Sequence, residues 1–207
     1  MRAVGLDVDG VMRDTGYPAY QFLCKSLTKL GAVRVPTFDE FVREYSHNLV
    51  EFCQKYGVSC TNEEYMEVYR GYSNGHHDVI KPFDDVLPTI EYLNALGLEM
   101  FAVSSHTHDA IEQWFDTHGL ASHFAHVAGS SVDKTAALRL MCDKIAIKPR
   151  QACYVGDWGA DMRSATEAGL LPIGITRGYE SRAELVASGA MHVIDHLHEL
   201  ADSISVQ

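Results

Sequence analysis

The stretch Ala3-Val4-Gly5-Leu6-Asp7-Val8-Asp9-Gly10-Val11 decides how the rest of the chain is read. Its first four residues are a short apolar run, as expected of a parallel strand buried on both faces, and the run stops on two aspartates and a glycine. A strand that ends this way presents Asp7 at its carboxyl end. Alone, an acid-x-acid-Gly turn carries little weight, because Asp and Gly recur in turns for backbone reasons.

From about Tyr17 to Tyr72 the pattern is helical. Ala19, Leu23, Leu27 and Leu30 share one helix face, and Gly31 ends it. Thr37 with Glu40 forms a capping box ahead of Phe38, Phe41, Val42, Tyr45, Leu49 and Phe52, with Gly57 beyond. Thr61 with Glu64 repeats the start signal before Tyr65, Val68 and Tyr69. A helical block therefore interrupts the chain straight after its first strand.

Beyond it, helices and strands alternate. Helices are expected over Asp85 to Leu96, His108 to Thr117, Asp133 to Cys142 and Met162 to Ala168, with a Ser181/Glu184 capping box opening another. Strands are expected over Leu98 to Val103, Phe124 to Ala128, Ala152 to Val155, Pro172 to Thr176 and His192 to Ile194. This rhythm predicts a parallel sheet with helices on both faces, whose active site lies at the carboxyl ends of the strands. Asp7, Asp9, Ser104, Ser105 and Asp157 all stand at or just past such ends.

The acids explain one another. Asp157 and Asp161, in Gly156-Asp157-Trp158-Gly159-Ala160-Asp161, are spaced to share one side of a helical turn, although Asp161 alone reads equally as a helix cap. Carboxylates gathered at one sheet edge repel by several kcal/mol per pair at an effective dielectric of about 20. A hard divalent cation removes that repulsion, and Mg²⁺ suits few carboxylates together with water and a phosphate oxygen. Ser104-Ser105 offers hydroxyls and amides to phosphate oxygens, or caps the next helix. Lys134 sits at a helix start, where the dipole disfavours it, so it points to an anionic partner or is simply solvated beside Asp133. Of the eleven histidines, only His106, directly after the serines, merits a test.

In this order the four pieces resemble the haloacid dehalogenase superfamily across essentially the whole chain. Asp7 to Val11 matches its DxDGV/T motif, and DVDGVMRDT resembles the phosphoglycolate phosphatase and β-phosphoglucomutase branch. FAVSS, Lys134 and GDWGAD match the remaining three motifs, and IKPFDDVLPTIEYLNALG resembles the return into the core after a helical cap. The resemblance implies a Rossmann-like doubly wound α/β core over residues 1–14 and 81–207. It also implies an inserted all-helical cap over residues 15–80, where Arg34, Arg43 or Lys55 could meet a second anionic group. It implies nucleophilic attack on phosphorus by Asp7 and acid–base work by Asp9. Mg²⁺ would be held by Asp7, the Asp9 carbonyl and Asp157, with Asp161 in support, and phosphoryl oxygens by Ser104, Ser105 and Lys134. The presence of Asp9 favours phosphoryl transfer over dehalogenation. The expected activity is hydrolysis of a small phosphorylated metabolite; a β-phosphoglucomutase-type mutase and a non-catalytic binding protein are the alternatives. Thr135 after Lys134, Trp158, and Met12-Arg13 after DGV depart from the pattern and leave the branch open.

Composition limits the partners without excluding an anionic substrate, since local cations or a metal can reverse the field inside one cleft. A formal net charge of -11 over 207 residues, without a basic block, argues against nucleic acid or anionic membrane as a partner. Five cysteines without tight spacing suggest reduced thiols in a cytoplasm. The apolar residues before Asp7 are too few for a signal-peptide core, and no run is long enough to span a bilayer. A monomer or weak homodimer is expected.

Overall fold

The computed structural model describes residues 1–44, 49–73, 80–131 and 133–205. The chain divides into two compact units, Met1–Asp14 with Lys81–Gln207, and Thr15–Ile80.

The first unit is built on six parallel strands: β1 (Ala3–Leu6), β2 (Glu99–Val103), β3 (His126–Ala128), β4 (Ala152–Gly156), β5 (Leu171–Ile175) and β6 (His192–Ile194). They lie in the order β3-β2-β1-β4-β5-β6. β1 is central, with Val4 opposite Met100 of β2 on one side and Cys153 of β4 on the other. The order turns back on itself between β1 and β4, and in a doubly wound sheet the crevice at that reversal takes the ligand. Asp7 and Asp157 come directly after the two strands that flank it.

Both sheet faces are covered, which is why β1 and β4 are buried along their whole length. Successive side chains point to opposite faces. Val4, Leu6, Met100, Ala102, Cys153 and Val155 join one apolar cluster with Val86, Ile90, Ile111 and Trp114. Ala3, Phe101, Val103, Ala152 and Tyr154 join another with Leu138, Met141, Ala165 and Ala168.

The helical unit holds α1 (Gly16–Lys29), α2 (Phe38–Glu44), α3 (Leu49–Lys55) and α4 (Asn62–Ser73). Its start signals form as expected. The Thr37 hydroxyl accepts the Glu40 amide at 3.2 Å while a Glu40 carboxylate oxygen accepts the Thr37 amide at 2.8 Å, and Thr61 with Glu64 repeats the exchange. Leu23, Leu27, Phe41, Phe52 and Tyr65 are buried; Tyr45, expected with them, lies outside the described residues. Arg34 pairs with Glu40 at 2.9 Å, Arg43 with Glu44 at 3.5 Å and Lys55 with Glu44 at 4.0 Å.

The sheet unit adds α5 (Val86–Ala95), α6 (His108–Thr117), α7 (Lys134–Lys144), α8 (Gly159–Ala168), α9 (Arg182–Ala187) and α10 (Leu200–Ser205). Ser181 and Glu184 form the expected box at α9. Among the described residues no helix is long and apolar enough to cross a membrane, and all five cysteines are free thiols.

Candidate active site

Asp7 leaves β1 with its amide still in the sheet ladder, donating to the Val155 carbonyl at 2.9 Å. Its Oδ1 accepts the Val8 amide at 2.7 Å. Across the reversal, Asp157 leaves β4 and its Oδ2 accepts the Tyr179 amide at 3.0 Å. Asp161, in the first turn of α8, accepts the Trp158 amide at 3.1 Å on Oδ2. One oxygen from each of Asp7, Asp157 and Asp161 falls within 4.8 Å of the others. Capping and site membership are thus compatible in Asp161, because its two oxygens face different groups.

Lys134, the first residue of α7, enters this cluster. Its Nζ donates to Asp7 Oδ2 and to Asp161 Oδ1, each at 2.6 Å. Asp133 takes the cap of α7 by accepting the Ala136 amide, so Lys134 is not a solvated companion of Asp133.

The buried charges shift one another. Burial pushes the Asp7 carboxyl up to about 7, with Lys134 pulling it down and the Asp161 charge pushing it further up. Burial, then the neighbouring carboxylates Asp161 and Asp7, drives Asp157 well above the usual range. For Lys134, burial opposes the ammonium, but the charges of Asp7, Tyr154 and Asp161 outweigh it and raise the group. An oxygen-only set of three acids this close fits a hard divalent cation in donor chemistry and in spacing. Lys134 brings one positive charge to three carboxyl groups.

The Asp9 carboxylate is held by a second cation, Arg13. Its Oδ1 accepts from Arg13 Nε at 2.6 Å and its Oδ2 from Arg13 Nη2 at 3.2 Å. Arg13 is fully buried, with its guanidinium 5.7 Å from the Trp114 ring centre. His106 stands near this pair: burial lowers its pKa, the Asp9 charge raises it and the Arg13 charge lowers it.

Ser104 comes directly after β2, the strand on the other side of β1. It is 1 % exposed, its hydroxyl accepts the His106 amide at 3.1 Å, and its carbonyl accepts the Ser131 amide at 3.0 Å. Ser105 is exposed. Neither serine caps α6, whose N-cap is Thr107.

The loop after β5, Arg177-Gly178-Tyr179-Glu180, carries no motif in the sequence, yet it closes the site. Beyond the Tyr179 amide on Asp157, Glu180 accepts the Gly159 amide at 2.8 Å. Arg177 donates to the Val11 carbonyl and to Asp85 Oδ1, the latter at 2.5 Å. This ties the turn after Asp9 to the start of α5. A Cβ at Gly178 or Gly10 would collide with the Asp157 carboxylate, and Gly10 also has φ +70. The one signal for this loop is positional, since it comes after a strand end as Asp7, Ser104 and Asp157 do.

Residues 5–175 match the family described as haloacid dehalogenase-like hydrolase. The span runs from β1 to β5 and contains Asp7, Ser104, Lys134 and Asp157. The chain belongs to the haloacid dehalogenase-like hydrolases. Among curated members of this kind it is similar to a phosphoglycolate phosphatase of Vibrio vulnificus (strain CMCP6), 25% identical over 100% of this chain and 97% of that protein. It is also similar to a glyceraldehyde 3-phosphate phosphatase of Methanopyrus kandleri, 33% identical over 50% of this chain and 48% of that protein. In fold it matches a solved haloacid dehalogenase-like family hydrolase from Streptococcus pneumoniae with a TM-score of 0.82, 20% identity, and 98% of each chain covered.

Proposed function

We propose that this haloacid dehalogenase-like chain is a magnesium-dependent phosphatase that hydrolyses a small phosphorylated metabolite through a transiently phosphorylated Asp7. One observation carries the reading: Lys134 bridges Asp7 and Asp161 beside Asp157, at the strand ends that flank the sheet reversal. The two phosphatases to which the chain is similar support the substrate class, and 2-phosphoglycolate is the first candidate.

Asp7, Asp157 and Asp161 would hold the ion, with the Asp9 carbonyl completing the set. When bound, Mg²⁺ supplies the positive charge that lets a carboxylate and a phosphate approach each other. The Asp7 oxygen attacks phosphorus, forming the Asp7–phosphorus bond as the bond to the leaving alcohol oxygen breaks. Asp9 gives that oxygen its proton, then takes one from the water that cleaves the phosphorylated Asp7 and releases phosphate. Lys134 and Ser104 hold phosphoryl oxygens as charge spreads over them, with Ser105 beside them. Residues 15–80 act as the cap that selects the substrate. The five free thiols fit work in a cytoplasm.

The test is a panel of phosphorylated metabolites, including 2-phosphoglycolate and glyceraldehyde 3-phosphate, assayed with Mg²⁺ and with a chelator. Turnover of at least one member that the chelator abolishes is expected; no turnover of any member with Mg²⁺ would overturn the reading.

A further inference from the structure

Arg13 is an expensive residue in its place. Moving a guanidinium out of water costs several kcal/mol even after relaxation, and a buried ion pair is often no more stabilising than well-packed apolar side chains of similar volume. Arg13 is 0% exposed, beside Trp114 of an otherwise apolar cluster. Its Nη1 has no hydrogen-bond partner among the described residues, which adds to the cost. Stability of the core therefore does not account for an arginine at this position.

Geometry offers a reason. The chain after β1 folds back on itself: the Gly10 amide donates to the Arg13 carbonyl at 3.1 Å, and the Met12 and Arg13 amides both donate to Val8, at 2.9 and 3.0 Å. The Phe83 amide fixes the Met12 carbonyl at 3.0 Å. This pinned turn brings the Arg13 fork onto both oxygens of Asp9, so the plane of that carboxylate is set by two parallel bonds. A carboxylate with one partner can rotate about its last bond. One held by a fork cannot without breaking both contacts.

We infer that Arg13 is a positioning residue that orients the Asp9 carboxylate for proton transfer to the leaving oxygen, and so extends the enzyme's reach to phosphate esters of weakly acidic alcohols. The inference rests on the phosphatase reading. In the step concerned, the phosphorus–oxygen bond of the ester breaks, its electron pair stays on the alcohol oxygen, and that oxygen takes the proton of Asp9 in its carboxylic acid form while Asp7 bonds to phosphorus, leaving Asp9 ionised against the Arg13 fork. A p-nitrophenolate leaving group departs without that proton; an alkoxide does not.

The experiment compares kcat/KM for p-nitrophenyl phosphate with that for the alkyl phosphate wild type turns over fastest, in Arg13→Met, Arg13→Lys and Asp9→Asn, each checked for a cooperative melt. General acid–base catalysis contributes about 10²–10⁴-fold, so misplacing the acid should cost the alkyl ester about tenfold or more relative to the aryl ester in Arg13→Met. Arg13→Lys restores part of that ratio, because it keeps the charge and loses the fork. The double variant Asp9→Asn/Arg13→Met adds nothing to the ratio of Asp9→Asn alone. Equal loss on both esters in Arg13→Met and Arg13→Lys would overturn the inference and leave Arg13 a structural residue. An unchanged ratio in Asp9→Asn would instead remove the acid–base role of Asp9, a separate failure visible in that variant alone.

Discussion

Nζ of Lys134 lies 2.6 Å from Oδ2 of Asp7, joining residues 127 positions apart. In this fold a lysine that looks misplaced at a helix start becomes the cation of an acidic cluster, shared with Asp161. Its side chain is only 15 % exposed, so removing it leaves carboxylates unbalanced where water screens them poorly. Lys134→Met should destabilise the protein by about 3 kcal/mol in the absence of divalent ions, and should lower kcat by about 10²–10³ with them. Chemical unfolding in a chelator and steady-state kinetics in Mg²⁺ measure the two effects. A variant as stable and as active as wild type contradicts the role.

The same crowding predicts how metal acts on the fold. Anything bound only by the native state raises stability by mass action. Mg²⁺ at about a hundred times its dissociation constant should add about 2.7 kcal/mol to unfolding. Asp157→Asn should lose most of that gain. Thermal melts with and without Mg²⁺ decide it, and a wild-type melt insensitive to Mg²⁺ would count against the ion-binding role of Asp7, Asp157 and Asp161.

Glycine at 178 serves the same carboxylate. A Cβ there would strike Asp157, and the Tyr179 amide that holds Asp157 is the next donor along the chain. Gly178→Ala should keep the cooperative melt while weakening the Mg²⁺ dependence of activity by about tenfold, in line with changes to the groups that orient metal ligands. Titration of activity with Mg²⁺ reads this directly; an unchanged half-saturation point would refute it.

The ion pair of Asp85 with Arg177, at 2.5 Å, offers a pH test away from the chemistry. Burial pushes the Asp85 carboxyl up, but the hydrogen bond and charge of Arg177 outweigh it and hold the group below its ordinary value of 3.8. A carboxyl depressed by folding contributes stability that is present above the unfolded pKa and lost as pH falls through the folded one. Asp85→Asn should therefore unfold more easily than wild type at pH 7, by about 2 kcal/mol. The gap should narrow as pH falls below about 4, because the unfolded carboxyl then binds protons, and it closes once pH passes the depressed folded value. Denaturant unfolding at pH 7 and pH 3 checks both ends, and a gap that widens in acid contradicts the assignment.

How much of the molecule is legible in its sequence depends on whether regular structure or a turn makes the contact. β1 and β4 can be read because an apolar run ending on Asp is a pattern, and a parallel sheet then gathers such ends at one edge. The three capping boxes are legible for a similar reason, since a helix start fixes which side chain meets which amide. The pairing of Asp9 with Arg13 is not. Spacing by four implies contact only within a helix, whereas these residues meet through a turn whose backbone bonds no composition reveals. Tyr179 is equally hidden, because it serves Asp157 with its amide, which every residue but proline carries. Asp85 is expected to begin a helix and does stand at the N-cap of α5, but its carboxylate serves Arg177 and the Leu197 amide rather than that helix.

The central claim is that Asp7 carries the phosphoryl group during turnover, and trapping that bond tests it most directly. Protein quenched during steady turnover with Mg²⁺ is treated with borohydride, which reduces an acyl phosphate to the alcohol, and its peptides are then weighed. The account predicts homoserine in place of aspartate at position 7 only when substrate is present, with no such product and no turnover in Asp7→Asn. Unmodified Asp7 in the trapped wild type, together with Asp7→Asn turning over substrate at the wild-type rate, would contradict it.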